Sequence, residues 1–332
     1  MSALAIPIIN LAPFINQTAN SEDRNDTALQ IAAACKDNGF FYIKEHGVSE
    51  ALQQQLEQLS REFFAHDESV KMQISMAKGG RAWRGYFPVE GELTSGKPDL
   101  KEGLYFGSEL SATDPRVMQD LPLHGKNLFP KHPIELKATV LEYLQALTHT
   151  AHALMRGISL SLGFDADYFD KRYTADPLIL FRIFHYPAQK PTTQQQWGVG
   201  EHTDYGLLTI LKQDTAGGLQ VKSQGAWIDA PPIANTFVCN IGDMLDRMTG
   251  GLYRSTPHRV LNTSGKSRYS YPFFFDPNFE TPVQRIENTE QRADDRNLRW
   301  DNDSVHDFEG TYGDYLLRKV SKVFPDLQKK VL

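Results

Sequence analysis

The sequence predicts an α+β chain with a mainly β core, a distorted double-stranded β-helix (jelly roll) flanked by N-terminal and C-terminal helices. Two observations predict it. From Leu178 to Phe275 the apolar runs are short, rich in β-branched and aromatic residues, and punctuated by Gly, Pro, Asn and Asp. Regular short strands of that kind suggest a double-sheet roll. Outside that stretch, apolar residues recur at helical spacing, with capping residues at the boundaries.

Ala5 to Leu11 reads as a short first strand. Ser21 to Asn38 is a predicted helix with acidic residues in its first turn, ended by Gly39. Phe40-Phe41-Tyr42-Ile43 is strand-like and stops at His46-Gly47. Ser49 caps a helix running to about Phe64, with Leu52, Leu56, Leu59 and Phe63 on one face. Gly79 to Gly107 is rich in glycine and charge and reads as loop with short strands. Pro133 opens a long helix from Ile134 to Leu162, closed by Gly163. Strands follow at Leu178–Tyr186, Leu207–Leu211, Leu219–Val221, Phe237–Ile241 and Tyr269–Phe275. After Pro277 the chain turns polar, and Tyr312 to Gln328 forms a closing helix. We divide the chain into a helical lid region (1–125), a long supporting helix with the roll core (126–285) and a C-terminal helical segment (286–332), acting as one catalytic unit.

Composition bounds the function. The 332 residues are 40% hydrophobic and 23% charged, which is ordinary for a soluble globular protein. A formal charge of −6 and a pI near 5.9 argue against nucleic acid or an anionic membrane as partner. No run of about 18 apolar residues is present, so no membrane span is expected. Met1 to Pro7 lacks a basic stretch and a long apolar stretch, so no secretion signal is expected. Cys35 and Cys239 are the only cysteines, which fits two buried thiols in a reducing cytoplasm. The expected state is a monomer or homodimer.

The chemistry concentrates in His202-Thr203-Asp204, His258 and Arg268-Tyr269-Ser270. Two imidazoles and a carboxylate are the ligand set that holds non-haem ferrous iron on one face and leaves other positions open. Strand side chains at i and i+2 point the same way, so His202 and Asp204 can share a face while His258 closes the triangle. Arg268 and Ser270 repeat that spacing and make a carboxylate grip, the planar guanidinium matching a carboxylate bidentately. Iron beside such a grip suggests an oxygenase with an oxo-acid cosubstrate. Taken singly, each piece has a plainer reading as a packed or surface residue, and zinc accepts the same ligand set.

The blocks His202-Thr203-Asp204-Tyr205-Gly206, Gly218-Leu219-Gln220-Val221, Asn240-Ile241-Gly242-Asp243-Met244, Tyr253 to Val260 and Arg268-Tyr269-Ser270 resemble the iron(II)/2-oxoglutarate oxygenases of the isopenicillin N synthase-like superfamily. Gly39-Phe40-Phe41-Tyr42, His46-Gly47 and Arg84-Gly85-Tyr86 extend the resemblance into the N-terminal half. It implies His202, Asp204 and His258 as ligands of Fe(II), and Arg268 with Ser270 as the grip on the far carboxylate of 2-oxoglutarate. Tyr186 matches a tyrosine that reaches the cosubstrate; Phe184 stands where plant relatives usually carry Asn, so that hydrogen bond is not expected. The implied activity is that of a dioxygenase, EC 1.14.11-type. It uses O2 and 2-oxoglutarate to hydroxylate a small molecule, releasing succinate and CO2.

Four substrate contacts are expected. Strand alternation from Arg268 and Ser270 puts Phe274 on the cavity face, and Arg182, four residues before Tyr186, shares that residue's face. Tyr86 and Tyr105 lie in the segment expected to cover the mouth. The competing readings are a 2-oxoglutarate-independent iron oxidase that closes rings or desaturates, a non-catalytic jelly-roll binding protein, and a zinc hydrolase.

Overall fold

The computed structural model describes residues 6–16, 18–94, 97–188, 197–223, 225–287, 289–290, 292–294, 296–299 and 302–324. In chain order its strands are β1 (Ile8–Asn10), β2 (Phe40–Lys44), β3 (Gly85–Phe87), β4 (Leu93–Thr94), β5 (Lys97–Pro98), β6 (Glu102–Gly107) and β7 (Leu178–Tyr186). The second half adds β8 (Val199–His202), β9 (Leu208–Gln213), β10 (Leu219–Ser223), β11 (Ala226–Asp229), β12 (Phe237–Ile241), β13 (His258–Val260) and β14 (Arg268–Asp276). An eight-stranded sheet runs β1-β2-β12-β9-β14-β7-β6-β3, and a four-stranded sheet runs β11-β10-β13-β8. Apart from the parallel pair β1–β2, neighbours in both sheets are antiparallel. Residues of both sheets line one cavity, as expected of a roll.

The long helix (Leu136–Ser161) supports the large sheet from outside. Leu136, Val140, Tyr143, Leu147, Leu154 and Ile158 are all fully buried, at spacings that keep them on one stripe. That stripe packs on the helices Ser21–Asp37 and Glu50–Phe64 and on β9 and β14. β9 and β14 are therefore covered on both faces. Tyr269, Tyr271, Phe273 and Phe275 face away from the cavity, whereas Arg268, Ser270, Pro272, Phe274 and Asp276 line it. Pro272 lacks an N–H to donate, and the ladder to β7 lapses at Tyr271 and Pro272 before resuming at Phe273.

The N-terminal third is more than a helical lid, because it supplies β1, β2, β3 and β6 to the large sheet. β8, β11 and β13 are absent from the sequence expectation; they are short and carry polar residues that mute the apolar signal. The closing helix spans Tyr312–Val323 and starts on a capping box of Thr311 and Asp314. Its expected continuation to Gln328, like Ala5 in the first strand, lies outside the described residues.

Candidate metal centre

His202 closes β8, His258 opens β13, and the two are direct partners in the ladder, with ring centroids 4.2 Å apart. Sheet pairing thus joins residues distant in sequence. Asp204 departs from the expected common strand, since β8 ends at His202 and the carboxylate comes from the turn that follows. That turn is fixed by backbone bonds from Asp243 N to Asp204 O (2.8 Å) and from Met244 N to Gly206 O (3.0 Å). Gly206 is required there, because a Cβ would stand 1.4 Å from an Asp276 carboxylate oxygen.

Hydrogen bonds aim the donor atoms. His202 Nδ1 lies 2.8 Å from Gly200 O, and His258 Nδ1 lies 3.2 Å from Thr256 O. A carbonyl only accepts, so each Nδ1 carries the proton and each Nε2 keeps its lone pair free. Asp204 Oδ2 accepts from Thr209 Oγ1 (2.6 Å) and Asn240 Nδ2 (2.7 Å). Its Oδ1 faces the Nε2 atoms of His202 and His258 at 4.0 and 3.8 Å. An ion with ligands about 2.1 Å away can bridge donors up to roughly 4.2 Å apart. Among the described residues, this is the group of His, Cys, Asp and Glu side chains that could hold a metal ion.

Charge states suit the same purpose. Burial, reinforced by His258, lowers His202 to about 4, so its ring is neutral at neutral pH. Burial works to raise Asp204, but His258, His202 and the bonds from Thr209 and Asn240 outweigh it and hold the carboxylate below its ordinary range.

Arg268 lines the same cavity at 0% exposure. Its Nε donates to Gly217 O (2.7 Å), and neither terminal nitrogen has a hydrogen-bond partner among the described residues. Two parallel N–H groups buried without an acceptor are costly unless an anion meets them. Ser270 sits two residues on and lines the cavity too. Tyr186 is the cross-strand partner of Arg268, with the guanidinium 4.6 Å from its ring centroid. A side chain at Gly198 would collide with that ring at 2.8 Å. The donors therefore fit a dianionic oxo acid lying between Arg268 and the triad.

Of the expected substrate contacts, Arg182 and Phe274 line the cavity, with the Arg182 guanidinium 4.9 Å from the Phe274 ring. Tyr105 stands one layer back, its ring 4.2 Å from Arg182 and its hydroxyl on Glu92 (2.8 Å). Tyr86 does not reach the cavity. It lies on the edge strand β3 at 1% exposure, with its hydroxyl donating to Glu102 (2.6 Å), so it is a packing residue. Sequence reasoning passes over Thr209, Asn240, Glu92 and Lys101, which also line the cavity. Asn240 sits within one of the blocks that carry the resemblance, whereas Glu92 and Lys101 lie in a charged stretch that reads as loop.

Two family models match the chain. One, described as non-haem dioxygenase in morphine synthesis N-terminal, spans residues 6–132, and the 2OG-Fe(II) oxygenase superfamily model spans residues 177–277. A probable iron/ascorbate oxidoreductase of Dictyostelium discoideum is 52% identical, covering 98% of this chain and 97% of its own length. A 1-aminocyclopropane-1-carboxylate oxidase of the same organism is 41% identical, covering 97% and 95% respectively. Among solved structures, a full-length Neurospora crassa protein in complex with alpha-KG matches with a TM-score of 0.79 at 29% identity, covering 96% of this chain and 97% of that one.

Proposed function

The chain belongs to the 2OG-Fe(II) oxygenase superfamily, and on that premise we propose that His202, Asp204 and His258 hold its ferrous ion while Arg268, Ser270 and Tyr186 seat 2-oxoglutarate. The proposed reaction is hydroxylation of a small molecule. The observation that carries this reading is the buried guanidinium of Arg268, with both terminal nitrogens unpartnered among the described residues, in one cavity with the triad. When bound, iron with 2-oxoglutarate and O2 supplies the oxidising chemistry and releases succinate and CO2.

The protein's own residues bind and orient. Thr209 and Asn240 occupy one oxygen of Asp204 and leave the other for the metal. The Nδ1 bonds fix both imidazoles in the tautomer a metal needs. Arg268 fixes the far carboxylate of the cosubstrate, and Tyr186 backs the guanidinium. We further propose a cytoplasmic protein with no nucleic-acid partner, acting as one catalytic unit in a monomer or homodimer. Two buried thiols and the negative formal charge support that setting. Among the described residues no helix is long and apolar enough to cross a membrane.

Anaerobic titration of the ferrous protein with 2-oxoglutarate tests the assignment. A saturable visible charge-transfer band is expected, and Arg268→Ala should weaken half-saturation at least roughly thirty-fold, about 2 kcal/mol for a buried charge pair losing one member. A band unmoved by that substitution would remove Arg268 from the grip. Iron binding with no band would favour a second reading, an oxidase that uses the same ion without 2-oxoglutarate, to which the name of the 41% identical relative points.

A further inference from the structure

The cavity has a second charged end. Arg182 on β7, Glu92 beside β4 and Lys101 beside β6 line it, with Asp99 behind them. Arg182 lies between the rings of Tyr105 and Phe274, its Nη1 is 3.5 Å from Glu92 Oε1, and its Nε has no hydrogen-bond partner among the described residues. Glu92 Oε1 accepts the Tyr105 hydroxyl (2.8 Å), and Lys101 Nζ forms an ion pair 2.8 Å from Oε2. Lys101 also contacts Asp99, which Thr94 holds at 2.6 Å. A carboxylate offers about four acceptor sites, so Glu92 has room for another donor.

Charge balance narrows what can enter. Arg182 and Lys101 formally cancel Glu92 and Asp99, and all four are largely withdrawn from water. Asp276, which also lines the cavity, accepts the Tyr312 hydroxyl. A ligand with net charge would leave that charge buried without compensation, which is expensive. A ligand that pairs an acceptor with a donor satisfies Arg182 and Glu92 together.

We propose, resting on the oxygenase reading above, that Arg182 and Glu92 form the subsite for the prime substrate's polar head. That head is small, carries no net charge, and presents a hydrogen-bond acceptor to Arg182 beside a donor to Glu92. A zwitterionic α-amino acid and a cyclic amide share this chemistry.

Succinate release by the iron-loaded enzyme with 2-oxoglutarate separates the two sources. The panel holds L-amino acids, small lactams, and for each amino acid its decarboxylated amine and its deaminated acid. Amino acids or lactams should stimulate release, while the matched amines and acids should not. Arg182→Gln should raise KM for the stimulating compound at least ten-fold, and Glu92→Gln should do likewise. Arg182→Lys, which keeps the charge and loses Nε, guards against a fold defect. The charge-transfer titration with 2-oxoglutarate should stay unchanged in all three variants. Stimulation by charged or apolar compounds alone, an unmoved KM, or no stimulation across the panel with the band intact would each overturn the subsite. A wild-type protein lacking the band would instead strike the oxygenase reading itself.

Discussion

Asp204 illustrates how a carboxylate with two equivalent oxygens is made to offer one. Thr209 and Asn240 saturate Oδ2, and the remaining oxygen has the two imidazoles opposite it. Asn240→Ala frees Oδ2 to compete, and ferrous affinity is expected to fall about 10- to 100-fold. Anaerobic equilibrium dialysis measures this directly, and an unchanged affinity would mean that Thr209 suffices alone. The triad itself can be read from the sequence because few residue types bind iron and their chemistry restricts the choice. Asn240 and Thr209 cannot, since amides and hydroxyls have too many ordinary uses. Tyr86 misleads for a related reason. Nothing local says that its hydroxyl is committed to Glu102, sixteen residues on and across a strand pair.

Within β14 the two-residue alternation survives a proline, which is why Phe274 can be placed on the cavity side from Arg268 and Ser270 alone. Alternation is a property of the strand itself, so it is legible without knowing the partners. The short helix Asp243–Met248 is not legible in the same way, because its partners come from far down the chain. Arg299 donates to Asp243 (2.8 Å) and to Asp246 (3.3 Å), and reaches Thr203 (3.4 Å) between the proposed ligands His202 and Asp204. Tyr315 adds a bond to Asp243 (2.7 Å). The polar C-terminal segment therefore clamps the turn that carries Asp204 from behind. Arg299→Met strips two buried carboxylates of a shared partner and is expected to lower stability by about 3–5 kcal/mol. Urea unfolding of the metal-free protein measures it; a loss under about 1 kcal/mol would show that the clamp is dispensable.

Across the whole molecule, Asp276 ties the end of β14 to the closing helix through Tyr312 and packs against the turn at Gly206. An unfolded aspartate titrates near 3.9. Burial, with the nearby charge of Asp204 acting in the same direction, raises Asp276 to about 7 in the folded protein, against the opposing bond from Tyr312. Between those values the folded chain keeps a proton that the unfolded chain has released. This contribution to stability is full below about pH 4 and is lost as pH rises through about 7. Asp276→Asn should therefore raise Tm more at pH 8 than at pH 5, and the reverse order in thermal scans would contradict the assignment. The ladder partnership of His202 with His258 has a different kind of consequence. Side chains alternate across a sheet, so a one-residue slip between β8 and β13 would turn an imidazole outward. The segment that carries Glu92 and Lys101 is framed separately, by the β4–β5 hairpin outside the two large sheets. A change of length there leaves the ladder between the two histidines in place, whereas one inserted residue within β8 or β13 takes the pair apart.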